Sequence, residues 1–85
     1  MAEQEIGVVT HYYDKIQVAA IRLTGGKLET GDTIHIQGHV TDVTQVVGSI
    51  QIEHAVVPEA KPGDDIGVKV EERVHEHDKV FKVAV

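Results

Sequence analysis

The sequence predicts an all-β domain, and three observations predict it. Valine and isoleucine dominate the apolar residues, while leucine occurs only at Leu23 and Leu28. Branching at Cβ stiffens χ1 and suits a pleated strand, whereas a helical domain would be rich in leucine and alanine. Eight glycines mark many turns in the chain's 85 residues. The stretch Thr33-Ile34-His35-Ile36-Gln37 alternates strictly, with two isoleucines on one face and polar groups on the other. With a glycine turn on either side, this stretch reads as the corner of a small β-barrel.

Six strands follow in order. The first is Ile6 to Thr10, where Gly7 lets the backbone bend or a neighbour approach closely. His11 to Lys15 reads as a polar, aromatic connection. The second strand is Ile16 to Leu23, whose mixed pattern predicts burial on both faces or a bulge. Gly25-Gly26 is then expected to supply the positive backbone angles of a tight hairpin. Leu28 stands alone among polar residues and is expected to plug one end of the core. Gly31-Asp32 makes a second turn, its carboxylate accepting from nearby amides. The third strand is Asp32 to Gln37, and the fourth Thr44 to Ile52, with Val46, Gly48, Ile50 and Ile52 on one face. Glu53 to Pro62 reads as a loop with Ala55-Val56-Val57 tucked under a barrel mouth. Lys61-Pro62-Gly63-Asp64 fits a turn with proline second and a positive-φ glycine third. The fifth strand, Asp65 to Glu71, points Ile66, Val68 and Val70 inward. A charged connection, Glu71 to Lys79, leads to the sixth strand, Val80 to Val85. No internal repeat or linker stands out.

The bulk numbers narrow the function classes. A chain of this length makes one domain with a thin core. No hydrophobic run is long enough to span a membrane, and the acidic, polar start is wrong for a signal or transit peptide. Cysteine is absent, so disulfides and thiolate metal sites are excluded and the cytoplasm is the expected compartment. The formal charge is −6, and the eight lysines and arginines are scattered rather than clustered. Phosphate neutralisation supplies most nucleic-acid affinity, so unassisted DNA or RNA binding is disfavoured. Three aromatics, Tyr12, Tyr13 and Phe81, are too few for a base-stacking platform.

The spacing resembles a known family nearly end to end. The matching residues are Gly7-x-Val9, then Ala19-x-Ile21-x-Leu23, then Gly26-x-Leu28-x-x-Gly31-Asp32-x-Ile34-x-Ile36-x-Gly38. They continue with Val47-x-Ser49-Ile50-Gln51 and Ala60-x-x-Gly63-Asp64-x-Ile66-Gly67-Val68. This pattern resembles the second domain of translational GTPases: elongation factor Tu, the selenocysteine-specific factor and initiation factor two. The ending Asp78-Lys-Val80-Phe-Lys-Val83 is more similar to the barrel that closes the C-terminus of the U32 (collagenase-like) peptidases. The resemblance implies a six-stranded closed Greek-key barrel. The phosphate loop G-x-x-x-x-G-K-[ST] does not occur in the chain, so GTP hydrolysis does not carry over. In the factors the barrel contacts the aminoacylated tRNA end or the small ribosomal subunit, which implies a protein, ribosomal or tRNA-linked partner. In the U32 proteins the catalytic part lies elsewhere, which implies no enzymatic activity here.

Candidate sites weigh as follows. Ser49, Gln51, Glu53 and His54 lie on the edge that, by the resemblance, meets the factors' partners; any outward strand face carries such residues too. Tyr12 and Tyr13, beside His11, form a second candidate surface, since exposed tyrosines anchor protein partners. His75 and His77 emerge on one face, about 6.5–7 Å apart, if their segment is extended. With Asp78 or His54 as a third ligand they start a zinc or nickel site; otherwise they belong to a solvated charged hairpin. His35 reads as a barrel-surface histidine. Asp32, Asp64 and Asp65 read as turn residues rather than acid–base groups, and Ser49 has no nucleophile elbow around it. The expected function is therefore a non-enzymatic binding module, with no cofactor. The alternative is a metal-binding or accessory domain related to the U32 C-terminal barrel.

Overall fold

The computed structural model describes residues 2–84, so Val85, the expected last residue of the sixth strand, lies outside them. The all-β expectation holds, but the strand count does not. Ten strands occur among the described residues: β1 Ala2–Tyr13, β2 Val18–Leu23, β3 Leu28–Glu29, β4 Thr33–Gln37, β5 Asp42–Val46, β6 Ile50–Ile52, β7 Ala55–Val57, β8 Glu59–Ala60, β9 Asp65–Lys69 and β10 Lys79–Ala84. Eight form one antiparallel sheet in the order β5-β4-β10-β1-β2-β9-β6-β7, and β3 pairs with β8.

The expected closed barrel is therefore corrected to an open sheet with ends at β5 and β7. No ladder joins those ends among the described residues. The reason lies in the predicted fourth strand, which is two strands. β5 pairs with β4, whereas β6 pairs with β9 and β7. Val47-Gly48-Ser49 carries the chain across from one end of the sheet to the other. That crossing also resets the alternation: Val46 is exposed while Val47 and Ile50 are buried, so Val46 and Ile50 do not share the face expected of them. Where the two regions meet, a side chain substitutes for a ladder. The buried Gln45 amide donates to Lys69 O at 2.9 Å, and its oxygen accepts from Glu71 N at 2.9 Å.

Period-two burial builds the core. Ala19, Ile21 and Leu23 from β2, Ile34 and Ile36 from β4, and Ile66 and Val68 from β9 all face inward. Each full burial of such an aliphatic side chain contributes about 1.5–3 kcal/mol. β2 alternates cleanly from Val18, and Ile16 is left exposed outside it. The irregularities lie instead in β1, whose register shifts between Glu5 and Gly7 and again between Val9 and His11. Those bulges turn both Ile6 and Val9 inward. β1 also runs on through His11-Tyr12-Tyr13, so the expected connection there is strand. Leu28 is fully buried, as expected. Val57 packs on the core, whereas Val56 is 70% exposed, so only part of the expected apolar tuck occurs.

One turn design recurs at three corners. Asp32 N donates to Glu29 O, and Glu29 N donates to the Asp32 carboxylate at 2.8 Å. Asp64 and Lys61 repeat both bonds, and so do Asp78 and His75. The third residue of each turn has positive φ: Gly31 at 93°, Gly63 at 96° and His77 at 73°. Gly25 and Gly26 are not among the positive-φ residues, so the expected angle argument fails there. Space accounts for them instead: a Cβ on Gly25 would meet Glu5 O at 2.7 Å.

Candidate functional site

A cleft of about 370 Å³ opens on the outer face of β2, β9 and β6. Its floor follows from two small residues. Ala20 pairs with Gly67, and Gly67 pairs with Gln51, so a row of minimal side chains crosses the centre of the outward face. Val18 completes the apolar floor, with Ile66 contributing from β9 while its side chain stays in the core, and Ile16 and Tyr13 rise from the β1–β2 turn on one side. Gln51, Glu53 and His54 stand on the other side, and Asp65 closes the rim.

Both flanking turns hold non-glycine residues in the left-handed region. Glu53 and His54, the two-residue connection of β6 and β7, have φ of 50° and 67°, and Gln17 has φ of 56°. Such hairpin turns favour asparagine and glycine. Each L-residue in that region costs about 1–2 kcal/mol, and strain of this kind collects at ligand clamps. Tyr13 is held from the side: the His11 ring meets it edge-on with centroids 4.5 Å apart, and His11 Nδ1 lies 3.1 Å from Glu76. At the rim, Arg22 donates Nε to Asp65 Oδ1 at 2.9 Å and Nη2 to Oδ2 at 3.3 Å. The Arg22 hydrogen bond holds the Asp65 carboxyl below the usual carboxylate range, and Asp65 pushes Arg22 up.

Four predicted residues, Tyr13, Gln51, Glu53 and His54, thus meet in one cleft although they come from separate strands and turns. The other two do not join them. Ser49 lines a second hollow, of about 430 Å³, beside Gln17, Gln45 and Lys69. Tyr12 packs against the core, with the Arg73 guanidinium 5.9 Å from its ring centroid. Sequence reasoning missed Ala20 and Gly67; the available signal was two small residues at outward positions of neighbouring strands.

Among the described residues, His75 and His77 are not grouped with a third ligand: no group of three His, Cys, Asp or Glu side chains there is placed to hold a metal ion. His77 occupies the positive-φ position of the third turn, and His75 Nδ1 lies 2.9 Å from Thr41 Oγ1. Asp32 and Asp64 serve their turns, as expected. His35 is more constrained than an ordinary surface histidine. Its side chain is 14% exposed; Nδ1 lies 3.0 Å from both Glu3 carboxylate oxygens, and Nε2 meets Asp42. The hydrogen bonds to Glu3 and then Asp42 raise its pKa against the opposing effect of burial.

A small, open, antiparallel all-β module with an outward cleft is the class this geometry defines. The elongation factor Tu domain 2 family matches residues 17–73, and the chain belongs to that family. It is 46% identical over 78 residues to an uncharacterized protease of Methanocaldococcus jannaschii, covering 91% of this chain and 19% of that protein. It is 33% identical over 78 residues to a collagenase of Porphyromonas gingivalis, covering 91% and 22%. The chain therefore spans about a fifth of the length of these relatives. In fold it matches the C-terminal domain of a Geobacillus thermoleovorans protein described as a U32 peptidase, with a TM-score of 0.87 and 20% identity over 95% of this chain and 93% of that one. The expectation of a non-enzymatic chain is corrected by these names: its relatives are named protease and collagenase. Among the described residues no helix is long and apolar enough to cross a membrane.

Proposed function

We propose that this chain is the polypeptide-engaging module of a U32-type peptidase, holding a stretch of unfolded protein in the cleft between the β1–β2 and β6–β7 turns. One observation carries the reading: residues from both strained turns and from the faces of β2, β9 and β6 converge on a single apolar-floored cleft. A cleft with an apolar floor and a few polar groups at its rim suits an amino-acid side chain flanked by backbone amides. The names of the relatives, protease and collagenase, supply the polymer class. The family's other partner class, tRNA and the ribosome, fits less well. The chain carries −6, and the rim holds Glu53 and Asp65, which repel phosphate.

The test is a titration of isotopically labelled chain, followed by amide NMR, with gelatin peptides and separately with deacylated tRNA. The expected result is movement of the Ala20, Gly67 and Gln51 amides with peptide and none with tRNA. Saturable tRNA binding without any peptide effect would overturn the reading.

A further inference from the structure

Beside the cleft, the sheet ends in an open edge. β7 pairs with β6 on one side only, and among the described residues no backbone bond joins the other side of Ala55–Val57 to the protein. The register puts Ala20, Gly67, Gln51 and Val56 in one row across β2, β9, β6 and β7. Val56, at the end of that row, is 70% exposed. Its backbone faces outward for a geometric reason. Ile52 and Ala55 flank the two-residue turn and form its hydrogen-bonded pair, so the next pair, Gln51 and Val56, is the non-bonded one. The Val56 N–H and C=O therefore point away from β6, towards the open edge. The opposite end of the sheet differs, because the Gln45 side chain on β5 reaches Lys69 O and Glu71 N and so ties that end to the chain around β9.

The geometry points to β7 as a docking edge for an extended segment of polypeptide, added antiparallel at Val56, with an apolar residue opposite Val56 and basic residues flanking it. This inference rests on the cleft reading above and names the strand that would lie along its border. Charge selects the occupant. Glu53 and Glu59 stand three residues to either side of Val56, and Glu53 has no cation within salt-bridge distance among the described residues; Glu59 lies 3.9 Å from Lys27. A second copy paired at Val56 would set Glu53 against Glu59, so the edge disfavours itself, as natural edges do. A strand with lysine or arginine three residues either side of its apolar centre meets both acids. Main-chain bonds then give affinity and the cleft gives side-chain preference.

The probe is an acetylated, amidated heptapeptide with a central valine, serine and threonine on either side, and lysine at both ends. Amide NMR of the labelled chain reads the binding. The expected result is a shifted, exchange-protected Val56 amide, with binding at least tenfold weaker when the peptide's central amide is N-methylated or its lysines are replaced by glutamate. Val56→Pro removes the outward N–H without touching the β6 ladder and is expected to weaken binding tenfold with unchanged circular dichroism. If that variant does not fold, the N-methylated peptide still decides. Equal binding of the N-methylated peptide, or movement at Ala20 and Gly67 with none at Val56, overturns the edge and leaves the cleft reading standing. No perturbation anywhere overturns both. A Val56 amide that responds to chain concentration alone, without peptide, assigns the edge to a second copy and overturns the inference.

Discussion

His77 holds a backbone conformation that its counterparts Gly31 and Gly63 hold with no Cβ to clash. The turn around it is anchored on both sides: His77 N donates to Val9 O, and Val9 N donates to Asp78 O, each at 2.8 Å. The packing therefore fixes the angle whatever residue sits there. His77→Gly is expected to stabilise the chain by about 1 kcal/mol, and His77→Val to destabilise it by more than that, as read from urea unfolding midpoints. A neutral His77→Gly would mean that the imidazole makes a compensating contact. At Gly38 the direction reverses: a Cβ there would collide with the buried Asp78 carboxylate, so Gly38→Ala is expected to cost about 2 kcal/mol or more. The two Gly-Asp corners were legible because both residue types announce a turn. The third was not, because histidine replaces the glycine and the charge around it suggested only a solvated loop.

Among the elements, β5 depends on side chains where the sheet lacks a ladder. Gln45→Leu keeps the volume but leaves Lys69 O and Glu71 N unpaired, and is expected to destabilise by about 2 kcal/mol in equilibrium unfolding. His35 joins β1, β4 and β5: Asp42 on the adjacent β5 engages one ring nitrogen, and Glu3 on β1, beyond β10, engages the other. Both nitrogens face carboxylates only when both carry protons, so the folded state favours the imidazolium. With the folded pKa above the unfolded value of 6.5, this contribution is complete below pH 6.5 and fades as pH rises through the folded pKa. Unfolding free energies of the wild type and His35→Asn at pH 6 and pH 9 should show the wild type losing its advantage at pH 9. A constant difference between the two would contradict the linkage. Inward alternation in β4 and β9 was readable from period alone; that of β2 was not, because Ile16, which lies outside the strand, blurred the pattern. The division of the long fourth segment was not, because the chain's crossing at Gly48 depends on which strands it later pairs with.

On the scale of the whole molecule, the −6 charge and the six histidines set how the chain behaves in solution. Histidine protonation carries the charge towards zero near the sequence pI of about 5.4. A solubility minimum is expected close to that pH, and a minimum displaced by a full unit would contradict this charge balance. The cleft was half legible. Tyr13, Gln51, Glu53 and His54 could be singled out as exposed polar or aromatic groups at strand ends and the turn between them. Their convergence could not, because it needs the β2–β9–β6 order, and the floor is defined by how little Ala20 and Gly67 occupy. That floor also gives the most direct measurement of the central claim. Ala20→Met fills the outward face of β2 without entering the core, so calorimetric titration with gelatin peptides compares a filled with an open cleft. Binding by Ala20→Met is expected to be at least tenfold weaker at unchanged thermal stability. Equal affinity of the two proteins would contradict that claim.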